Sequence, residues 1–302
     1  MLGKRFRQSD AQPGFIGFDG EADDIQSPVN WRLLDASPEA IERDVKYALK
    51  IGSEYLALIE KQSLSLRGIK TLELGPGHNY GASLVLACHG ANTAVADRFP
   101  VTWQQDYHGA LCRALLRGVT ELWPTVNPSP LVRCIEDSTV SNVVKVFNSP
   151  AEDLHGVAAE TIDVVLSNAV LEHLQNPELA ALELHRVTRQ GGVGLHQVDF
   201  RDHRDFSRPL EYLLLGEDEF AQVFLERNAE CGRQMRHFEL NEYLISAGFE
   251  VADFEANWIA SDEYLNDFIP RLRESNSAYR AMPRHDLRVI SGHFTLRKPI
   301  TQ

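Results

Sequence analysis

The stretch from Lys70 to Ser83, KTLELGPGHNYGAS, limits the possible folds more than any other part of the chain. The run Ile69 to Leu74 is short and apolar enough to be a strand buried on both faces of a parallel sheet. Gly75, Gly77 and Gly81 then let the backbone turn tightly, and GASLVLACHG continues at helical spacing. Strand, glycine loop and helix in this order form the opening unit of an open α/β sheet. In such sheets a ligand lies beyond the carboxyl ends of the strands, where loop amides point at an anion.

The chain on either side extends the pattern. Ser37-Pro38-Glu39 reads as a helix start, with Ser as N-cap, and apolar residues at Ile41, Val45, Leu49 and Ile51 to Leu58 carry the helix to about Lys61. Asn92 to Ala96 reads as a second strand ending at Asp97, Thr161 to Leu166 as a later strand and Leu179 to Val187 as a helix. Gly191-Gly192 is expected to turn the chain into the strand VGLHQVD. The alternation predicts an α/β fold with a parallel sheet and helices on both faces. FEVADFEANW and LRVISGHFTLRKP, with a helical excursion between them, suit an antiparallel pair at one sheet edge. Residues 1–64 are expected to be an N-terminal lead and capping helix, and residues 65–302 the sheet domain. Two stretches exceed an ordinary crossover: an insertion at about 100–147, and a lid or substrate wall at 204–236.

Composition narrows the class. A chain of 302 residues, 43% hydrophobic and 24% charged, suits one large soluble domain, or one domain with a cap. A net charge of −13 with no cluster of lysines and arginines argues against nucleic acid as a partner. No run reaches the roughly 18 apolar residues of a membrane span, so a cytoplasmic protein is expected. Cys88, Cys112, Cys134 and Cys231 lack metal or redox spacing and read as buried thiols.

The loop's ligand is constrained by Glu73. A dinucleotide would bring a diphosphate to the loop amides, and Glu73 would repel it by something like a kcal/mol. A cationic ligand reverses the sign. S-adenosylmethionine offers a carboxylate for the amides, an ammonium for Glu73 and a sulfonium. The spacing GxGxxxG also departs from the dinucleotide fingerprint, and Asp97 follows Gly77 at the distance from which a strand-ending acid reaches ribose hydroxyls. In ELGPGHNYG, AVADR, SPAEDL, DVVLSNAVLEHLQNP and ELHRVTRQGG, the chain resembles the class I S-adenosylmethionine-dependent methyltransferases over roughly residues 65 to 200. The resemblance implies a Rossmann-like, seven-stranded, mostly parallel sheet whose last strand is antiparallel. It implies that Glu73, Gly75, Pro76 and Gly77 hold the methionine end, and that Asp97, with Arg98 beside it, meets the ribose. Ala151 and Glu152 would flank adenine, and Ser167 and Asn168 would face the sulfonium. Asn79 stands where a further glycine is usual, and Pro150 where many members have an acid.

Methyl transfer is an in-line displacement that needs alignment, exclusion of water and, for a hydroxyl acceptor, a base. His203, His173, Asp199 and His196 fall near the strand ends, with His203 the preferred base. Asp199, Asp202 and His203 form an oxygen-rich cluster that reads as solvated, and no metal is expected. HQVDFRDHRDFSRPLEYLL and the segment after it resemble a bacterial group of methyltransferases associated with glycan or sugar modification. This implies O-methylation of a sugar or another small polar hydroxyl compound, with a phenolic or amine natural product as the rival acceptor. Trp103, Tyr107, His108, Arg208, Tyr212 and Arg236 could stack on and hydrogen-bond a polar ring. A nicotinamide oxidoreductase would need a second motif such as YxxxK, which does not follow the fourth strand. A non-catalytic nucleoside binder is the other alternative. Oligomeric state is not legible in the chain.

Overall fold

Seven strands form one sheet in the order β3-β2-β1-β4-β5-β7-β6. The computed structural model describes residues 33–227 and 230–300, so residues 1–32 of the expected lead lie outside the described residues. The strands are β1 Lys70–Leu74, β2 Asn92–Asp97, β3 Lys145–Asn148, β4 Ile162–Asn168, β5 Thr188–Asp199, β6 Glu250–Ile259 and β7 Val289–Arg297. The first five pair in parallel, and β7 runs antiparallel to both β5 and β6. This is the seven-stranded, mostly parallel sheet with an antiparallel ending that the sequence implied. Leu72, Leu74, Val164, Val165 and Leu166 are fully buried, as expected for central strands covered on both faces.

Helix α1 (Pro38–Lys61) starts where its sequence says it should: Ser37 Oγ accepts the Ala40 N–H at 3.3 Å and Pro38 occupies the first turn. It packs with α2 (Gly81–Cys88) and α3 (Gln105–Leu122) on one face of the sheet. Glycine sets how closely α1 and α2 approach. A Cβ on Gly81 would lie 2.3 Å from the Ala48 Cβ, and one on Gly52 would lie 2.8 Å from Val85. The long stretch between β2 and β3 holds α3 and α4 (Ser129–Asp137), whose Leu111, Cys112, Leu115, Leu131 and Cys134 join the core formed by α1 and α2.

The opposite face is covered by α5 (Pro177–Val187) and α7 (His237–Ser246), which bury Ala180, Leu184, Leu240 and Leu244 against Leu72, Val198 and Phe294. A separate apolar cluster lies towards the C-terminus. Leu210, Tyr212 and Leu213 of the 3-10 turn Glu211–Leu214 (the first just before it) and Phe220 and Phe224 from α6 (Glu217–Glu226) meet Leu265, Phe268 and Leu272 of α8 (Asp262–Glu274) and Leu287 of α9 (Arg284–Arg288).

One local expectation is corrected. Gly191-Gly192 does not turn the chain into a strand but lies inside β5, which already begins at Thr188. Thr188 pairs with Ile162 and Val193 with Val164, so the glycines, with Gly191 at φ +70°, fit the excess β5 residues into a bulge.

Candidate active site

The carboxyl ends of β1, β2, β4 and β5 lie along one edge of the sheet, and Gly75, Gly77, Asp97, Asn168 and Asp199 stand at or just beyond them. At the end of β1, Gly75 (φ +58°) and Gly77 (φ +67°) occupy the left-handed region that favours glycine. A Cβ on Gly75 would lie 2.7 Å from Val170 Cγ2, whereas one on Gly77 would have nothing within 4 Å, leaving space for a ligand against the backbone. Asn79, in the usual glycine position, accepts the Gly81 N–H through Oδ1 at 2.8 Å and so closes the start of α2. Tyr80 holds φ +57°, anchored by its hydroxyl to the Val101 carbonyl at 2.6 Å.

Glu73 is buried beneath this loop. It accepts from Ser83 Oγ at 2.5 Å and from Tyr55 Oη at 3.3 Å. Burial pushes its carboxyl up to about 7, outweighing the two donors. No lysine or arginine among the described residues forms an ion pair with it. Asp97 ends β2, accepts the Phe99 N–H at 2.7 Å and is also raised by burial. Asn168 ends β4 and donates from Nδ2 to Tyr47 Oη at 2.8 Å; the next residue, Ala169, holds φ +55°. Glu152 accepts the N–H groups of Gln175 at 2.7 Å and Asn176 at 3.3 Å, with Arg98 Nη2 at 3.6 Å. Its carboxylate therefore ties two loops together, while Ala151 packs against the core.

The four residues proposed as bases separate. His196 is a core residue: it is 1% exposed, its Nδ1 lies 2.8 Å from Ser167 Oγ, and burial lowers its pKa to about 3. The β5 alternation gave its face but not that this face is closed to a substrate. Asp199 is held by Arg201, whose Nε reaches its two oxygens at 2.8 and 3.0 Å and whose Nη2 lies 2.5 Å from Oδ2. The Arg201 guanidinium is itself sandwiched by Phe206 and Trp258, at 4.4 and 4.3 Å from the ring centroids. Asp199 is therefore an anchored ion-pair partner rather than a free base. Asp202 is likewise clamped by Arg204, so neither aspartate is merely solvated. His203 and His173 do meet, their rings edge to face with centroids 4.9 Å apart. His203 Nε2 lies 3.7 Å from Asp199 Oδ2, and burial, with His173 nearby, lowers its pKa to about 4.

Sequence reasoning missed Glu172, which is 1% exposed and accepts the Asp199 N–H on Oε1 at 3.2 Å. Burial and the neighbouring Asp199 hold its carboxyl well above the usual range. It also missed the contribution of α1, where Tyr47 reaches Asn168, Tyr55 reaches Glu73, and buried Asp44 accepts from Tyr107 Oη at 2.7 Å. The signal was present: Asp44, Ala48, Ile51 and Tyr55 recur at helical spacing on the buried face of α1.

The suggested acceptor contacts do not form one wall. Tyr212 and Arg236 are fully buried: Tyr212 donates to the Phe200 carbonyl at 2.8 Å, and Arg236 bonds the carbonyls of Phe200, Asp286 and Val289. His108 is buried with Nε2 2.9 Å from the His78 carbonyl oxygen. Trp103 bonds Gln105, and Arg208 bonds Glu211.

Residues 109–195, from α3 into β5, match the family described as Methyltransferase domain. An uncharacterized methyltransferase of Schizosaccharomyces pombe is 27% identical over 113 residues, 37% of this chain and 40% of the relative. The chain thus spans about two fifths of the curated relative it matches. Among solved structures, Haemonchus contortus phosphoethanolamine N-methyltransferase 2 in complex with S-adenosyl-L-methionine gives a TM-score of 0.47 at 15% identity, covering 82% of this chain and 53% of that one. An S-adenosylmethionine-dependent methyltransferase from Mesorhizobium loti gives 0.44 at 13% identity, covering 78% and 93%.

Proposed function

We propose that this chain is a class I S-adenosylmethionine-dependent methyltransferase and that it transfers the cofactor's methyl group to a hydroxyl of a small polar acceptor, a sugar or glycan precursor by preference. Glu73 carries the reading. A buried carboxylate beside a glycine loop, with only Ser83 and Tyr55 as partners among the described residues, would repel a diphosphate and is stabilised by a cation. The cofactor's ammonium supplies that charge, and its carboxylate meets the amides around Gly75 and Gly77. Pro76 shapes the same turn. Asp97 takes the ribose hydroxyls, with Arg98 beside it. Asn168, oriented by Tyr47, borders the sulfonium. Adenine rests on the backbone at Ala151, because the Glu152 carboxylate is engaged elsewhere.

The acceptor approaches from the ends of β4 and β5. There His173, His203 and the Asp199–Arg201 pair lie together, and His203 activates the hydroxyl with His173 beside it. There the acceptor oxygen, the methyl carbon and the sulfur are brought into line. Among the described residues no helix is long and apolar enough to cross a membrane.

Calorimetry with S-adenosylmethionine and, separately, NAD tests the cofactor. Binding of the first and not the second is expected, and the reverse overturns the reading. A labelled-methyl screen over nucleotide sugars, free sugars, phenols and amines then tests the acceptor. Incorporation confined to phenols or amines overturns the hydroxyl-sugar assignment and leaves the methyltransferase.

A further inference from the structure

Glu172, His173 and His203 come from two neighbouring places: the 3-10 turn Leu171–His173 after β4, and the segment following β5. Strand pairing brings them together, since Asn168 at the end of β4 is registered with Gln197 near the end of β5. One donor atom from each residue can be chosen so that all three lie within 4.8 Å of one another. Three donors each ~2.1 Å from one ion lie ~3.4 Å apart in a tetrahedral site, so from that 4.8 Å outer limit the side chains close by up to ~1.4 Å on binding.

Two further observations point to a ligand. Glu172 is 1% exposed, and while Oε1 is oriented by the Asp199 N–H, Oε2 is buried with no hydrogen-bond partner among the described residues. No lysine or arginine among the described residues lies within ion-pair distance of it. His203 Nε2 is likewise buried without a hydrogen-bond partner among the described residues. A carboxylate oxygen and an imidazole nitrogen buried together and left unsatisfied carry a desolvation penalty that one cation between them removes.

We propose that Glu172, His173 and His203 bind a divalent transition-metal ion, which activates the acceptor oxygen. Two imidazoles and one carboxylate suit zinc or manganese better than magnesium or calcium, which prefer all-oxygen sites, and they leave coordination positions open. The Asp199 main chain orients Glu172, and the Asp199 side chain, neutralised by Arg201, flanks His203. Resting on the reading above, the chemistry balances as follows. The acceptor hydroxyl binds the ion, loses its proton to solvent, and its oxygen forms a bond to the methyl carbon. The carbon–sulfur bond breaks with its electron pair going to sulfur, leaving an ether and a neutral thioether. His203 then acts on the hydroxyl through the ion and is not itself the proton acceptor.

The test is titration of the chelator-stripped full chain with Mn2+, followed by the loss of the free-ion paramagnetic resonance signal and by calorimetry, with Mg2+ in parallel. One Mn2+ per chain is expected, with Mg2+ at least tenfold weaker. Glu172→Gln, which keeps the side-chain volume, and His203→Ala are each expected to weaken Mn2+ at least tenfold, while circular dichroism confirms that they fold. No saturable Mn2+ binding by the wild type, or equal affinity in the folded Glu172→Gln variant, overturns the site. S-adenosylmethionine calorimetry on the same stripped sample separates the two readings. Cofactor binding and full methylation without Mn2+ binding removes the ion and returns His203 to the role of base. Mn2+ binding without cofactor binding removes the methyltransferase reading and keeps the metal site.

Discussion

Glu73 meets two conflicting demands, since a cationic ligand wants it ionised while its burial disfavours the charge. Its carboxyl, raised from 4.5 to about 7, binds a proton more tightly in the folded chain than in the unfolded one. The ligand-free protein therefore loses stability as pH rises from 4.5 to about 7, by about 3 kcal/mol at the plateau above. Glu73→Gln is predicted to raise the melting temperature at pH 8, with little change at pH 5, while lowering S-adenosylmethionine affinity at least tenfold. Calorimetric melts at the two pH values, with a cofactor titration at pH 8, check both parts; a lower melting temperature at pH 8 would count against them. For the same reason wild-type cofactor affinity should climb with pH to about 7 and then level off, measurable by calorimetry across pH 5.5 to 8.5. The sequence made Glu73 a candidate but could not show its basicity, which comes from burial under the closed fold and is only partly offset by the Ser83 and Tyr55 hydroxyls. His196 and Asp199 illustrate the same limit. Alternation assigns a side chain to a face of a strand, but only tertiary packing seals His196 in the core or brings Arg201 round to grip Asp199.

The contact between α1 and α2 determines whether the site is assembled, because α1 brings both Tyr47 and Tyr55 to the strand ends. Gly81→Ala would force a methyl to 2.3 Å from Ala48 Cβ, and is predicted to cost about 1–3 kcal/mol and to weaken cofactor binding by separating the helices. Ala48→Gly on that background removes the opposing methyl and should recover part of both losses. A double-mutant cycle in denaturant melts and cofactor titrations would show this, whereas strictly additive effects would argue against the contact. Much of this element was legible: Ser37, Pro38 and the apolar spacing give α1 to within a residue at each end. The double glycine of β5 was not, since Gly-Gly is a turn signal by local rules and only pairing with β4 reveals a bulge.

At the scale of the molecule, Arg236 joins the sheet to its C-terminal cover. Its guanidinium, fully buried, bonds the Phe200 carbonyl just beyond β5 and the carbonyls of Asp286 and Val289 in and after α9, as well as Tyr212 Oη. Arg236→Met would orphan several buried carbonyls at once and is predicted to destabilise the protein by about 2–4 kcal/mol. Limited proteolysis should then cut between residues 204 and 288 before the sheet is attacked; a wild-type digestion pattern would be the contrary result. The antiparallel ending was legible in the strand signals of FEVADFEANW and LRVISGHFTLRKP, whereas the sheet order was not read from the chain and the short strand β3 fell largely inside what read as an insertion. The C-terminal cluster was legible only as apolar-faced helices, since what they cover depends on contacts between residues far apart in the chain.

The place of β7 between β5 and β6 has a consequence for synthesis. As the polypeptide leaves the ribosome, β6 emerges before its partner β7, and β5 lacks its β7 neighbour until residues 289–297 follow. Both wait through the whole of α8 and α9, so the sheet closes by a late insertion into an open slot, and until that moment the nascent chain presents two unpaired strand edges to any neighbour or chaperone it meets.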